Sequence, residues 1–176
     1  MIIRDALPSD ARGIAEIHVD SWRKTYRGIV PDEYLAAMSH DTNEARHRNY
    51  LTTPHPETWT VVAVDDAGAI NGFANFGRVR EEMWELDGEV YAIYLQPGTE
   101  RRGTGRALMA ACARRLRENG FGSMLVWVLA ENRSRYFYER CGGLPVTSKH
   151  ISIGGAILEE IGYGWKDLTV PWGSGE

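Results

Sequence analysis

The segment Gly98-Thr99-Glu100-Arg101-Arg102-Gly103-Thr104-Gly105-Arg106 concentrates the residue types that hold an anion. Glycine lets a backbone approach a ligand closely, and the first N–H groups of a helix point at whatever sits beyond its end. Arg101, Arg102 and Arg106 add three cations to the same short stretch. Together they describe a phosphate cradle, and the competing reading is a plain turn with solvated arginines. Two nucleotide loops fail the spacing test. A P-loop counted from Gly98 needs Lys at 104 and Ser or Thr at 105, where Thr104 and Gly105 stand. A dinucleotide loop counted from Gly103 needs Gly or Ala at 108, where Leu108 stands.

The chain that must position this loop has 176 residues, 43% of them hydrophobic and 25% charged, with a formal net charge of −4. That composition predicts one folded domain with a sizeable core. The acidic balance argues against a nucleic-acid partner, and no apolar run is long enough to cross a bilayer. Met1–Asp5 shows no basic segment followed by an apolar stretch, so the expectation is a cytoplasmic protein, monomer or homodimer. Cys112 and Cys141 suggest reduced thiols, and the five histidines show no metal-ligand spacing.

Period and punctuation give the elements. A short strand at Ile2-Ile3-Arg4 precedes a helix over about 10–26, whose buried stripe is Ala11, Ile14, Ala15, His18 and Trp22. His18 reads as a core histidine. Two further helices follow, opening at Pro31-Asp32 and running over about 41–52. A strand from Thr58 to Val64 turns at Asp65–Gly68 into a return strand reaching about Val79, and Glu89–Gln96 forms a third. The long helix spans 103–119 with Leu108, Cys112 and Leu116 inward, and Gly120 ends it. An apolar strand over 123–129 is followed by a short helix capped by Asn132, then two strands around Gly154-Gly155. This order predicts an α+β fold: a mostly antiparallel central sheet with one strand–helix–strand unit and helices on both faces. The domain is expected over 1–166, with a tail over 167–176 carrying Pro171 and Trp172.

Leu95-Gln96-Pro97 followed by Arg102-Gly103-Thr104-Gly105-Arg106-Ala107-Leu108 resembles the acetyl-CoA loop of the GNAT N-acetyltransferase superfamily. Asn132, Phe137-Tyr138-Glu139-Arg140 and Gly142-Gly143 resemble its second cofactor motif, and the likeness runs in register over about 2–166. It implies acetyl-CoA as cosubstrate, with no metal. The backbone of Ile93, Tyr94 and Leu95 would pair with the pantetheine arm. Arg101, Arg102, Gly103, Thr104, Gly105 and Arg106 would wrap the pyrophosphate, and Asn132 would contact the arm or cap its helix. Glu100 departs from the family's usual Gln or Arg, and Arg101 from its usual Gly; the Glu100 carboxylate should face away from phosphate.

The resemblance further implies transfer of acetyl to a primary amine of a small molecule or peptide, by direct attack in a ternary complex. An alkyl ammonium with a pKa near 10.4 costs about 4.6 kcal/mol to neutralise at pH 7, so a proton acceptor is expected. Glu89 matches the catalytic glutamate of some members; Tyr91, Asp20, Glu33 and a water chain are the alternatives. Tyr138 matches the family's general acid beside the sulfur. Trp22 and Tyr26, i and i+4 on the first helix, are candidates for the acceptor groove. The run Glu81–Asp87 would either steer cationic amines or be a solvated hairpin. The alternative function is an acyl-CoA-binding sensor of the same fold that performs no transfer.

Overall fold

The computed structural model describes residues 1–53, 55–83 and 85–169, without the side chains of Glu82 and Met83. Pro171 and Trp172 of the expected tail, and Trp84 of the acidic run, therefore lie outside the described residues.

Strand β1 (Ile2–Asp5) leads into helices α1 (Ala11–Thr25), α2 (Asp32–Ala37) and α3 (His40–Thr52). Strands β2 (Thr58–Val64), β3 (Ile70–Met83) and β4 (Leu86–Leu95) follow, then α4 (Thr104–Glu118) and β5 (Met124–Leu129). The chain continues through α5 (Arg135–Arg140), β6 (Leu144–Ile153) and β7 (Ala156–Trp165). One seven-stranded sheet results, in the order β1-β2-β3-β4-β5-β7-β6. Its neighbours are antiparallel except β4 and β5, the pair that flanks α4. The expected α+β architecture is what forms.

Strand alternation sorts the side chains into two cores. Val61, Ala74, Phe76 and Val126 pack beneath Leu108, Met109, Cys112 and Leu116 of α4. Their neighbours Val62 and Phe73 face the other way, against Ile14 and Ile17 of α1. Helices therefore cover both faces. Gly154 and Gly155 both have positive φ (57° and 84°), as a two-residue hairpin turn requires.

Three expectations change. The β3–β4 hairpin is longer than the alternation suggested, so the acidic run is no loose connection. Glu81 binds Lys149 at 2.7 Å, Glu85 pairs with Lys166, and Asp87 accepts from the N–H groups of Gly122 and Ser123. Ser134, not Asn132, directly precedes α5. The Asn132 side chain instead accepts the Ser134 N–H at 2.8 Å, a local turn bond of the kind short amides favour. Packing also continues beyond 166: Leu168 is buried in the α4-side core, and its N–H donates to the Gly122 carbonyl.

His18 is a core histidine, as its stripe position suggested, with a partner the spacing did not show. Its Nδ1 lies 3.1 Å from Nε2 of His47, and its ring stacks on Tyr94. One of the two rings must donate and the other accept, so the pair is built neutral. Burial, reinforced by the neighbouring charges, lowers His18 to about 3 and His47 to about 4. The unfolded chain binds these protons near pH 6.5 while the folded chain refuses them, so stability is full above that pH and falls as pH drops toward 4. Denaturant midpoints measured from pH 7 to pH 4 should decline steadily, and His47→Asn should flatten the decline.

Candidate functional site

Strands β4 and β5 pair only through Gly88, Glu89 and Val90 against Met124, Leu125 and Val126. Beyond that point they part. The register between β3 and β4 skips Tyr91 at the same level, because Asn75 faces Ala92 while Phe76 faces Val90. This bulge adds local twist to β4 where it leaves β5. The consequence is a cavity of about 670 Å³ between the strands, and the β4 edge from Tyr91 to Leu95 lines it.

At one end of the cavity stands the N-terminus of α4. Gly103 occupies the N-cap with φ 83°, and Gly98 and Arg101 also have positive φ. The loop is thus coiled tightly enough to aim the first-turn N–H groups of a 15-residue helix outward. Gly105 lies against Phe137 and Leu95, where an added Cβ would meet the Phe137 ring at 3.2 Å. Arg101, Gly103, Gly105 and Arg106 line the cavity. Arg102 is exposed outside it, and Thr104 is buried, its hydroxyl turned to the Met1 sulfur. Glu100 and Lys24 line the cavity as well, and two bonds hold the carboxylate: Lys24 binds one oxygen at 2.7 Å and the Gly98 N–H donates to the other at 2.9 Å. The Lys24 ammonium is the main reason its carboxyl falls to about 2.

The middle of the cavity is lined by Ile93, Tyr94, Leu95, Tyr26, Asn132 and Tyr138. Ser21 of α1 clamps β4 by donating to the Leu95 carbonyl at 2.7 Å. Trp22 does not line the cavity; its indole N–H donates to the Tyr94 hydroxyl at 2.9 Å, and its ring meets Tyr26 edge-on. Tyr138 comes from α5 and packs into the α4-side core with 7% of its surface exposed. Burial, with the nearby Tyr26 and Cys141, raises its pKa, which keeps the phenol protonated at neutral pH.

Glu89 occupies a different environment. It is 1% exposed, does not line the cavity, and is locked to Arg80. One oxygen accepts the Arg80 backbone N–H at 3.0 Å, and the other takes Nε at 3.0 Å together with Nη2. Of the alternative bases, Asp20 is paired with His40 at 2.9 Å, and Glu33 is exposed on α2. Tyr91 donates to the Arg78 carbonyl, and burial pushes its pKa up to about 12. Ser21, Lys24 and Arg80 were missed in the sequence. Ser21 and Lys24 flank the apolar stripe of α1 at i, i+3 spacing, the one hint they offered; Arg80 offered none. No group of metal-binding side chains exists among the described residues, and no described helix is long and apolar enough to cross a membrane.

Residues 14–143 match the Acetyltransferase (GNAT) family. An N-acetyltransferase of Bacillus subtilis, YuaI, described as uncharacterized, is 40% identical over 95% of this chain and 94% of its own length. Among solved structures, a phosphinothricin acetyltransferase from Sinorhizobium meliloti in complex with AcCoA superposes with a TM-score of 0.70 at 22% identity, covering 99% of this chain and 94% of that one. The paia N-acetyltransferase of Thermoplasma acidophilum, in complex with coenzyme A, does so at 0.65 and 20% identity, covering 90% and 96%. With its family match spanning the strand–helix–strand unit and the α5 motif, the chain belongs to the GNAT acetyltransferases and is an N-acetyltransferase.

Proposed function

We propose that the protein transfers the acetyl group of acetyl-CoA to a primary amine of a small molecule or peptide, by direct attack within a ternary complex. The observation that carries this reading is the unpaired β4 edge running into the N-terminus of α4, with Tyr138 in the same cavity. An extended amide-bearing arm satisfies a strand edge as an added strand would. A diphosphate suits oriented N–H groups beside Arg101 and Arg106. Coenzyme A carries both features in series.

In the reaction, the amine lone pair attacks the thioester carbonyl carbon and the carbon–sulfur bond breaks with its electron pair on sulfur. The Tyr138 hydroxyl donates a proton to that sulfur, and the proton the nitrogen sheds after attack restores the phenol through water. Cys141 is no acyl carrier in this scheme: burial raises its thiol pKa, away from the thiolate a nucleophile needs. Glu89 is the proposed acceptor of the earlier proton, the one an ammonium loses to become the attacking amine. Its bonds to Arg80 hold it in place and restrict it to a lone pair left over from three donors, so it acts on the amine through a bridging water.

Thiol release from acetyl-CoA across an amine panel tests the reading. Tyr138→Phe should lower turnover roughly 10²–10⁴-fold with coenzyme A affinity retained. Wild-type binding without release for any amine would identify a sensor instead. Gly103→Val strains the positive-φ N-cap by about 1–2 kcal/mol. It should weaken coenzyme A binding by well over the tenfold that this energy represents, whereas equal losses in folding and binding would reduce the loop to a turn. Glu89→Gln should lower the rate most at low pH, where little free amine is present, and an unaltered pH–rate profile would return the proton to solvent alone.

A further inference from the structure

Lys24 stands in the last turn of α1 and Glu100 in the loop before α4, and both line the cavity beside Arg101, Gly103 and Arg106. The Glu100 carboxylate already holds two donors. One oxygen takes the Lys24 ammonium at 2.7 Å, and the other takes the Gly98 N–H at 2.9 Å. An ammonium beside a backbone N–H of a glycine-containing loop is a donor pair that equally suits a phosphate oxygen. The loop therefore binds an anion of its own within the cavity. The two side chains are about half exposed, 55% for Lys24 and 50% for Glu100, and ion pairs so exposed are weak.

The charged neighbours of Lys24 on α1 are committed elsewhere. The Arg23 guanidinium donates to the backbone carbonyls of Leu35 and Met38, and the Asp20 carboxylate is paired with His40 at 2.9 Å. Lys24, a point charge on a flexible four-carbon stem, can turn from one anion to another without any movement of α1. A diphosphate carries more negative charge than a single carboxylate and attracts the ammonium more strongly. We propose that Lys24 is a cofactor-binding residue whose ammonium Glu100 occupies in the free protein. The diphosphate of coenzyme A displaces the carboxylate from Lys24 and from the Gly98 N–H. Left unpaired beside the diphosphate, the Glu100 carboxylate repels it and speeds release of the product coenzyme A. Glu100 is thus a built-in competitor, and no covalent bond changes in the exchange. The inference rests on the acetyl-CoA reading above.

The test is calorimetric and stopped-flow binding of coenzyme A and of dephospho-coenzyme A, with thermal midpoints recorded to confirm folding. Glu100→Gln should bind coenzyme A roughly 3–10-fold more tightly than wild type, chiefly through slower dissociation, and Lys24→Met more weakly by a similar factor. The double variant separates a ligand from a mere neutraliser: it should bind several-fold more weakly than Glu100→Gln alone. Equal affinities in that pair overturn the inference, because Lys24 would then serve only to offset Glu100. A Glu100→Gln variant that binds no tighter than wild type overturns it too, since the ion pair would then brace the loop in the complex. Dephospho-coenzyme A should show the same shifts; shifts confined to coenzyme A would assign Lys24 to the 3′-phosphate and overturn the diphosphate contact. Should Lys24→Met fail to fold, Glu100→Gln alone carries the test. Wild-type protein that binds no coenzyme A removes the acetyl-CoA reading itself, whereas wild-type binding with unresponsive variants removes this inference alone.

Discussion

The separation of β4 from β5 after three residue pairs is the constraint on which the rest depends. A buried strand edge must find partners for its N–H and C=O groups, and an exposed one invites an added strand. Here the edge is neither closed by β5 nor left bare. Ser21 takes the Leu95 carbonyl, and the remaining stretch from Tyr91 lines the cavity. One unmatched residue, Tyr91, supplies the twist that turns the strand away, while α4 and α5 close the gap from one face and α1 from the other. The candidate site is therefore a defect in sheet pairing, stabilised by helices that the two cores hold in place.

What the sequence revealed was what neighbours in sequence decide. The Gly98–Arg106 loop, the stripe of α4 and the Gly154-Gly155 turn depend on spacings of a few residues, and each forms as its local chemistry requires. The hairpin length, the partner of Glu89 and the pairing of His18 with His47 depend on register and packing between distant segments. Arg80 meets Glu89 because β3 and β4 extend further into their hairpin than the alternation suggested. Asn132 shows the limit most clearly: its type and position fit a helix cap, yet its side chain closes a turn. Of the candidate site, the loop, the β4 edge and Tyr138 were legible. The polar contacts that orient them were not.

Local charge in this protein is arranged against its overall sign. With a net charge of −4, the chain would repel an anion if its carboxylates were free to face the loop. They are committed elsewhere: Glu100 to Lys24, Glu81 to Lys149, Glu85 to Lys166 and Glu89 to Arg80. The three lysine pairs are largely exposed, and pairs of that kind contribute little to stability, whereas Glu89 is buried. Their effect is to remove negative charge from particular places. Lys24 in particular neutralises the carboxylate inside the loop proposed to hold the diphosphate, from a helix 76 residues earlier in the chain.

The cluster of Tyr26, Tyr94 and Tyr138 follows from the same economy of buried polar groups. Each ring fills core volume that phenylalanine would fill equally well, so the hydroxyls need a separate reason. A buried hydroxyl left without a partner is destabilising by about 1–3 kcal/mol. Tyr94 meets the requirement through the Trp22 indole N–H. Tyr26 and Tyr138 both line the cavity, and burial keeps both phenols protonated. A site that stabilises charge during acyl transfer needs donors fixed before the charge appears, because reorienting dipoles afterwards would cost much of the gain. Close packing of the Tyr26 and Tyr138 rings in two separate cores holds their hydroxyls in place, with residues that also hold the two faces of the sheet together.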